Sequence, residues 1–316
     1  VPNIKDWPTF ARFLPITALS AAVLAAPACS NVSSSVADDG RPTVLTTFTV
    51  LADMARNVAG DAVRVESITR VGAEIHEYEP TPDDLVRGQG ADLVLNNGLG
   101  LERWFEQFTE RVEAPDAVLS DGVETIPISS GSYQGEANPH AWMSPENALV
   151  YVDNIRDALT ELDPGNAETY AANAEDYKAE ITEIDDFLRA ELATLPEEHR
   201  ALVTCEGAFS YLARDAGLRE AYLWPVNADS EGTPQQIASV VEFVEANDVP
   251  AVFCESTVND GAQRQVASET GAAMGDPLYV DSLSEADGPV PTYLDLLRHD
   301  AEAIVTGLGA GAGEGA

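Results

Sequence analysis

Apolar and polar positions along residues 43 to about 160 switch between two periods. Short apolar or β-branched runs at 43–48, 63–68 and 91–95 read as buried strands. The stretches at 50–59, 82–87 and 102–110 carry the 3.6-residue spacing of helices with one apolar face. Strand and helix in regular alternation predict a parallel α/β lobe. A second series over 196–308, with strand-like runs near Ala201, Tyr222, Ala251 and Leu278, predicts another. Between the two lies 166–195, rich in Ala, Glu, Tyr and Leu and set off from the preceding helix by Asp163, Pro164 and Gly165. Tyr170, Tyr177, Ile181, Ile184 and Leu188 recur near helical spacing, so this segment predicts one helix on the order of 40 Å long, enough to touch both lobes. The expected fold class is therefore α/β: two parallel-sheet (β/α) lobes, 43–165 and 196–308, joined by one long backbone helix, 166–195. Residues 309–316 are Gly/Ala-rich and read as a disordered tail.

The first 42 residues follow neither period. Lys5 and Arg12 precede an apolar stretch over 13–26 that is short for a membrane span and suits the core of a signal peptide. It ends at Ala26, Pro27, Ala28 and Cys29, which resembles a bacterial lipoprotein cleavage site with Cys29 as the lipid-modified residue. Ala26 stands where Leu is usual, and Pro27 and Asp6 also depart from the pattern, so cleavage without lipidation stays open. The Ser-, Asp- and Gly-rich residues 30–42 read as a flexible tether.

Composition narrows the partners. The chain has 316 residues, 45% of them hydrophobic, and a formal net charge of -37. That length and apolar content can fill two cores. Such acidity excludes nucleic acid as a partner and repels an anionic membrane surface, leaving a lipid anchor as the only membrane attachment. A diffuse acidic surface cannot select one cation, so the charge reads as a solubility or salt-tolerance trait.

Candidate chemistry lies where the two patterns break. His76 falls in 71–84, VGAEIHEYEPTPDD, on a loop past the strand at 63–68 whose continuation Pro80 and Pro82 forbid. His140 falls in 138–147, NPHAWMSPEN, just ahead of Ser144 and Pro145, which read as a helix N-cap and first helical residue. Glu206 follows the strand-like run 201–205, and Asp281 follows 277–280. Open α/β sheets bind ligands in the crevice beyond their strand C-termini, so the four residues predict a divalent-cation pocket in the cleft between the lobes. The chain has four histidines, and the other two, His199 and His299, sit in ordinary surface contexts. A metal-bound water on such a His/His/carboxylate centre would make a hydrolase. Four protein ligands leave little room for that water, and Glu255 is the one nearby candidate for a general base. Gly98 and Gly100 lack the lysine and third glycine of a phosphate-cradling loop, so ATP hydrolysis belongs to a separate subunit.

Besides Cys29 the chain has Cys205 and Cys254, each ending a strand-like run and each followed by a glutamate. If their strands are neighbours, an exported protein could bridge them and brace the loop carrying Glu206. Two buried free thiols are the equal alternative.

The segments around His76 and His140, the runs 203–214 (VTCEGAFSYLAR) and 222–227 (YLWPVN), then GTPQ at 232–235 and YVDSL at 279–283 resemble, in the same order, the metal-binding receptors of ABC importers. These are the TroA-like cluster A-I of solute-binding proteins, which capture manganese, zinc or iron outside the cell. The resemblance covers about residues 43–308. It implies no enzymatic activity but a monomeric, extracytoplasmic, membrane-anchored lipoprotein that delivers its ion to a permease with a separate ATPase subunit. Carried over position by position, the family's metal ligands fall on His76, His140, Glu206 and Asp281, and its single backbone helix restricts hinge motion. Zinc receptors of the family commonly add a third His and a His-rich loop. Residues 129–138, SSGSYQGEAN, contain no His, and Glu206 supplies a hard oxygen. Two imidazoles and two carboxylates suit Mn²⁺ as the cargo, with Zn²⁺ or Fe²⁺ as alternatives, since the Irving–Williams order lets Zn²⁺ bind at least as well. Acidification to pH 6 or below is expected to release the ion by protonating the imidazoles.

Overall fold

A computed structural model describes residues 40–309 apart from 77, 110, 113 and 227–231. The expected signal peptide, Cys29, the tether up to residue 39 and the tail from 310 lie outside the described residues. Strands β1 (Thr43–Thr46), β2 (Arg64–Ser67), β3 (Leu93–Asn96) and β4 (Asp116–Val118) form one parallel sheet in the order β2-β1-β3-β4. Val44 pairs with Val65 on one side and Leu93 on the other. The central strands are buried nearly throughout because helices cover both faces, which explains their continuous apolar runs. Helices α1 (Thr49–Ala59), α2 (Pro82–Gln89) and α3 (Phe105–Thr109) fill the crossovers. Thr81 and Asp84 make a reciprocal capping box, and Pro82 opens α2 with the φ that a first turn requires.

Two helices follow as a hairpin. Helix α4 (Pro145–Leu162) starts where expected: the Ser144 hydroxyl accepts the Asn147 N–H and Pro145 opens the first turn. Helix α5 (Ala167–Thr194) runs 28 residues, about 42 Å. Its buried residues Tyr170, Ala174, Tyr177, Ile181, Ile184, Leu188 and Leu192 repeat every three or four positions and form one stripe. That stripe packs against α1, α4 and the C-terminal helix α9 (Tyr293–Gly309), so α5 contacts helices of both lobes.

The second lobe repeats the alternation of strand and helix, with two long strands and two short ones. Strand β5 (Ala201–Glu206) pairs in parallel with β6 (Arg219–Trp224), and β7 (Ala251–Val252) with β8 (Ala273–Met274). The Phe253 N–H donates to the Val203 carbonyl at 2.8 Å and joins the two ladders, so the order across the lobe is β6-β5-β7-β8. Helices α6 (Ser210–Ala216), α7 (Pro234–Ala246) and α8 (Gly261–Thr270) complete it. The strand-like run expected near Leu278 contributes one parallel bridge, Glu255 to Leu278; Pro277 has no N–H to extend it.

Alternation along β5 divides its side chains between two cores. Ala201, Val203 and Cys205 enter an outer core with Leu223, Val240, Val266 and Cys254. Leu202 turns inward to the main core, which holds side chains of both lobes and α5. Glu206 keeps the parity of Leu202, and Glu255 that of the inward-facing Phe253. Cys205 and Cys254 form a disulfide with Cα atoms 4.8 Å apart. The bridge therefore lies in the outer core, one residue from two inward-facing glutamates.

Candidate metal centre

His76 sits on the loop between β2 and α2, and this loop is tied down at both ends. Asp84 accepts the Thr81 N–H at 2.7 Å and the Tyr78 hydroxyl at 2.8 Å. Arg87 pairs with Asp84 and donates to the Ser67 and Ile68 carbonyls at the end of β2. Beside the histidine, Glu74 Oε1 accepts the His76 N–H at 2.7 Å.

His140 ends the turn between Asn138 and the short 3-10 helix Ala141–Met143. Asn138 Oδ1 accepts the His140 backbone N–H at 3.0 Å, which identifies that atom as the amide oxygen, because a backbone N–H can only donate. The same oxygen lies 3.0 Å from His140 Nδ1, so Nδ1 carries the proton and the lone pair is on Nε2. The Asn138 amide nitrogen in turn donates to the Gly207 carbonyl at 2.7 Å, across the lobe boundary. The chain after Glu206 packs tightly there: a Cβ at Gly207 would come within 2.7 Å of the Pro225 carbonyl oxygen.

Glu206 ends β5 with its N–H held by both Glu255 carboxylate oxygens, at 3.3 and 3.2 Å. Asp281 lies past Val280, whose carbonyl accepts the Trp142 indole N–H at 3.2 Å. Thr257 donates to Asp281 Oδ2 at 3.3 Å, while Oδ1 is buried with no hydrogen-bond partner among the described residues.

These elements bring donors from both lobes to one point. His76 Nε2 and His140 Nε2 are 3.1 Å apart, and Glu206 Oε1 lies 3.5 and 3.7 Å from them. Metal bonds of about 2.0–2.2 Å space neighbouring donors roughly 3.0–3.5 Å apart, so the three atoms fit around one ion. Asp281 is not in that innermost group; it joins through His76, in a second group with Glu74. His199 and His299 are elsewhere: His199 on the turn before β5, and His299 with Nε2 3.0 Å from the Pro277 carbonyl.

Burial sets the protonation states. His76 is lowered to about 4 by desolvation, against an opposing pull from Glu74, and His140 falls well below the usual imidazole value. Both rings are thus neutral donors at pH 7. Asp281 is pushed up to about 7 and Glu255 to about 8, again by desolvation first, with Glu74 adding to Asp281 and Asp281 adding to Glu255. These buried acids lack a compensating positive charge, and a divalent cation would supply it. Burial opposes charging of the rings and of Asp281 alike, so a proton on Asp281 is expected to compete with an ion before one on either imidazole.

Two residues around the candidate ligands escaped sequence reasoning. Asn138 could have been read from its place two residues before His140 in a proline turn, where such an amide caps backbone and ring together. Glu74 has the matching position before His76. That Glu255 holds Glu206 depends on β5 and β7 being neighbours, which no local signal reveals.

A two-lobed receptor with a buried nitrogen and carboxylate centre at the lobe boundary defines a class, and comparison with known proteins gives the family. The family described as "ZnuA: Zinc-uptake complex component A periplasmic" matches residues 44–307. The chain is 51% identical over 300 residues to the iron-binding protein YfeA of Yersinia pestis, covering 95% of this chain and 96% of that protein. It is 35% identical over 287 residues to the manganese-binding lipoprotein MntA of Halalkalibacterium halodurans, covering 90% and 95%. The Mn-bound periplasmic metal binding protein of Candidatus Liberibacter asiaticus superposes with a TM-score of 0.80 at 39% identity, over 85% of this chain and all of that one. The zinc binding protein TroA of Treponema pallidum superposes at 0.77 with 26% identity, over 85% and 99%. The chain belongs to the ZnuA family of metal-uptake receptors, as the order of its motifs implied.

Proposed function

We propose that this protein captures a divalent transition metal outside the cytoplasm, Mn²⁺ before Fe²⁺ or Zn²⁺, with His76, His140, Glu206 and Asp281 as its ligands. It then delivers the ion to an ABC importer composed of a permease and a separate ATPase subunit. One observation carries the reading: two neutral imidazoles converge with their Nε2 atoms 3.1 Å apart beside Glu206, and Asn138 fixes the His140 lone pair toward them. The orphaned Asp281 oxygen supports a fourth ligand. Two nitrogens with two carboxylates suit Mn²⁺ or Fe²⁺ with more than four contacts, and the metals named for MntA and the Liberibacter protein favour manganese. Ferrous iron stands next because the relative that is 51% identical is named iron-binding. The role is binding rather than catalysis: Glu255, the one candidate base, is held by the Glu206 N–H and pushed toward its neutral form. A monomer tethered through a lipid on Cys29 completes the proposal, with domain limits of 1–29, 30–42, 43–165, 166–195, 196–308 and 309–316.

The test is thermal unfolding of the full chain after chelation, with Mn²⁺, Fe²⁺, Zn²⁺ and Mg²⁺ added separately. An ion at one hundred times its Kd adds about 2.7 kcal/mol, a readily measured rise in Tm. Transition metals should give it and Mg²⁺ should not. His140→Ala should abolish the rise while His199→Ala keeps it; equal loss in both variants would refute the ligand assignment.

A further inference from the structure

Two groups of donors overlap at His76. The inner group, His76, His140 and Glu206, is wholly buried; the outer one, Glu74, His76 and Asp281, has donor atoms equally within 4.8 Å of one another but includes the half-buried Glu74. Exposure falls along the series from Glu74 to His76, at 8%, and His140, at 0%. Asp281 is 2% exposed, a carboxylate oxygen of it belongs to this outer group, and its Oδ1 is buried without a hydrogen-bond partner among the described residues. A second approach to His76 passes Arg103, whose guanidinium lies 3.9 Å from the Tyr133 ring centroid and 3.6 Å from Glu136. The cavity there is about 10 Å³, and the Arg103–Glu136 ion pair lines it. A dication meets compensated charge on that side and is drawn to the carboxylates on the other.

We propose that Glu74, His76 and Asp281 form a transit site, where a divalent cation first binds before passing to the resident site. The inference rests on the ligand reading above and adds Glu74 to it. His76 and Asp281 belong to both stations, so the handover exchanges Glu74 for His140 and Glu206 while two ligands stay attached. Such a stepping stone lowers the barrier in both directions and leaves the equilibrium alone. Glu74 therefore sets the rates of loading and unloading and has little influence on affinity.

Rapid mixing of the chelated full chain with Mn²⁺ tests this, read by tryptophan fluorescence, since the Trp142 ring centroid lies 5.2 Å from that of His140. Glu74→Gln removes the charge and keeps an oxygen to accept the His76 N–H. Its association and dissociation rates should both fall about tenfold, the lower end of electrostatic steering, with Kd unchanged within twofold. Glu79→Gln removes the same charge from an exposed site on the same loop and should leave both rates unaltered. Equal effects of the two substitutions would overturn the transit site. So would faster dissociation in Glu74→Gln with association unchanged, which would make Glu74 a resident ligand. An unsubstituted chain that bound no metal would remove the ligand reading itself.

Discussion

The two lobes share one strand order, β2-β1-β3-β4 against β6-β5-β7-β8, yet they hold their parts of the site by different means. The first has an unbroken sheet and supplies nitrogen from loops, with Asp84, Arg87 and Asn138 fixing the loop geometry. The second sets two-residue strands β7 and β8 beside the six-residue β5, places its carboxylates near strand ends and is braced by a disulfide. Their electrostatics differ in the same sense. Burial keeps the histidines of the first lobe in the neutral form that a metal needs. In the second it presses Asp281 toward the protonated form that a metal must displace. The cation thus relieves mainly the second lobe, while the first is prepared to receive it.

The sharpest way to break that contrast is to remove the bridge. Cys205 and Cys254 are 49 residues apart in sequence. Closing a loop of that size contributes about 4 kcal/mol by the chain-entropy relation. Replacing both cysteines with serine should lower the stability of the metal-free protein by about that much. Hydrogen exchange should rise along β5 and β7 while β1 and β3 stay protected. Uniform loss in both lobes would show that the bridge braces the whole chain rather than the carboxylate lobe.

Acidity probes the contrast next. Asp281, raised to about 7, must lose a proton to bind the ion, whereas His76, lowered to about 4, is already neutral. Affinity should be flat above pH 8, fall about tenfold per unit between pH 7 and 5, and steepen only near pH 4. A two-proton slope centred near pH 6 would assign control to the histidines. Stability of the metal-free protein carries both signs. The raised Asp281 stabilises fully below its unfolded value of 3.8, and that contribution is lost as pH rises through about 7. The lowered His76 contributes stability present above 6.5 that is lost as pH falls toward about 4. Metal should therefore raise Tm most at alkaline pH.

The smallest effect belongs to the first lobe's hydrogen bonds. Asn138→Ala frees the His140 ring to rotate and change tautomer, and should weaken Mn²⁺ binding about tenfold to a hundredfold by isothermal titration, with the fold intact. An unchanged affinity would mean that the ring is held by packing against Trp142 alone.

How far the sequence reached follows the same division. Helix α5 was legible to within a residue at each end, because an apolar stripe over 28 residues admits no other structure. The local contexts of His76, His140, Glu206 and Asp281 were legible because proline turns and strand ends mark them; that the first three converge is what the structure adds. What eluded reading is long-range: the two-residue strand β8 is too short to show a period, and α4 pairs with α5 in a hairpin that only contacts reveal. The cysteines left bridge and thiols equally open, since their pairing depends on β5 lying beside β7. The hold of Glu255 on Glu206 was hidden for a related reason: it appears only once β7 lies beside β5.

Anomalous diffraction from crystals of the Mn²⁺-loaded protein tests the central claim most directly. The account predicts one strong manganese peak bonded to His76 Nε2, His140 Nε2, Glu206 and Asp281, with Glu74 outside bonding distance. A peak held by Glu74, His76 and Asp281 without His140, or one away from all of these residues, would contradict it.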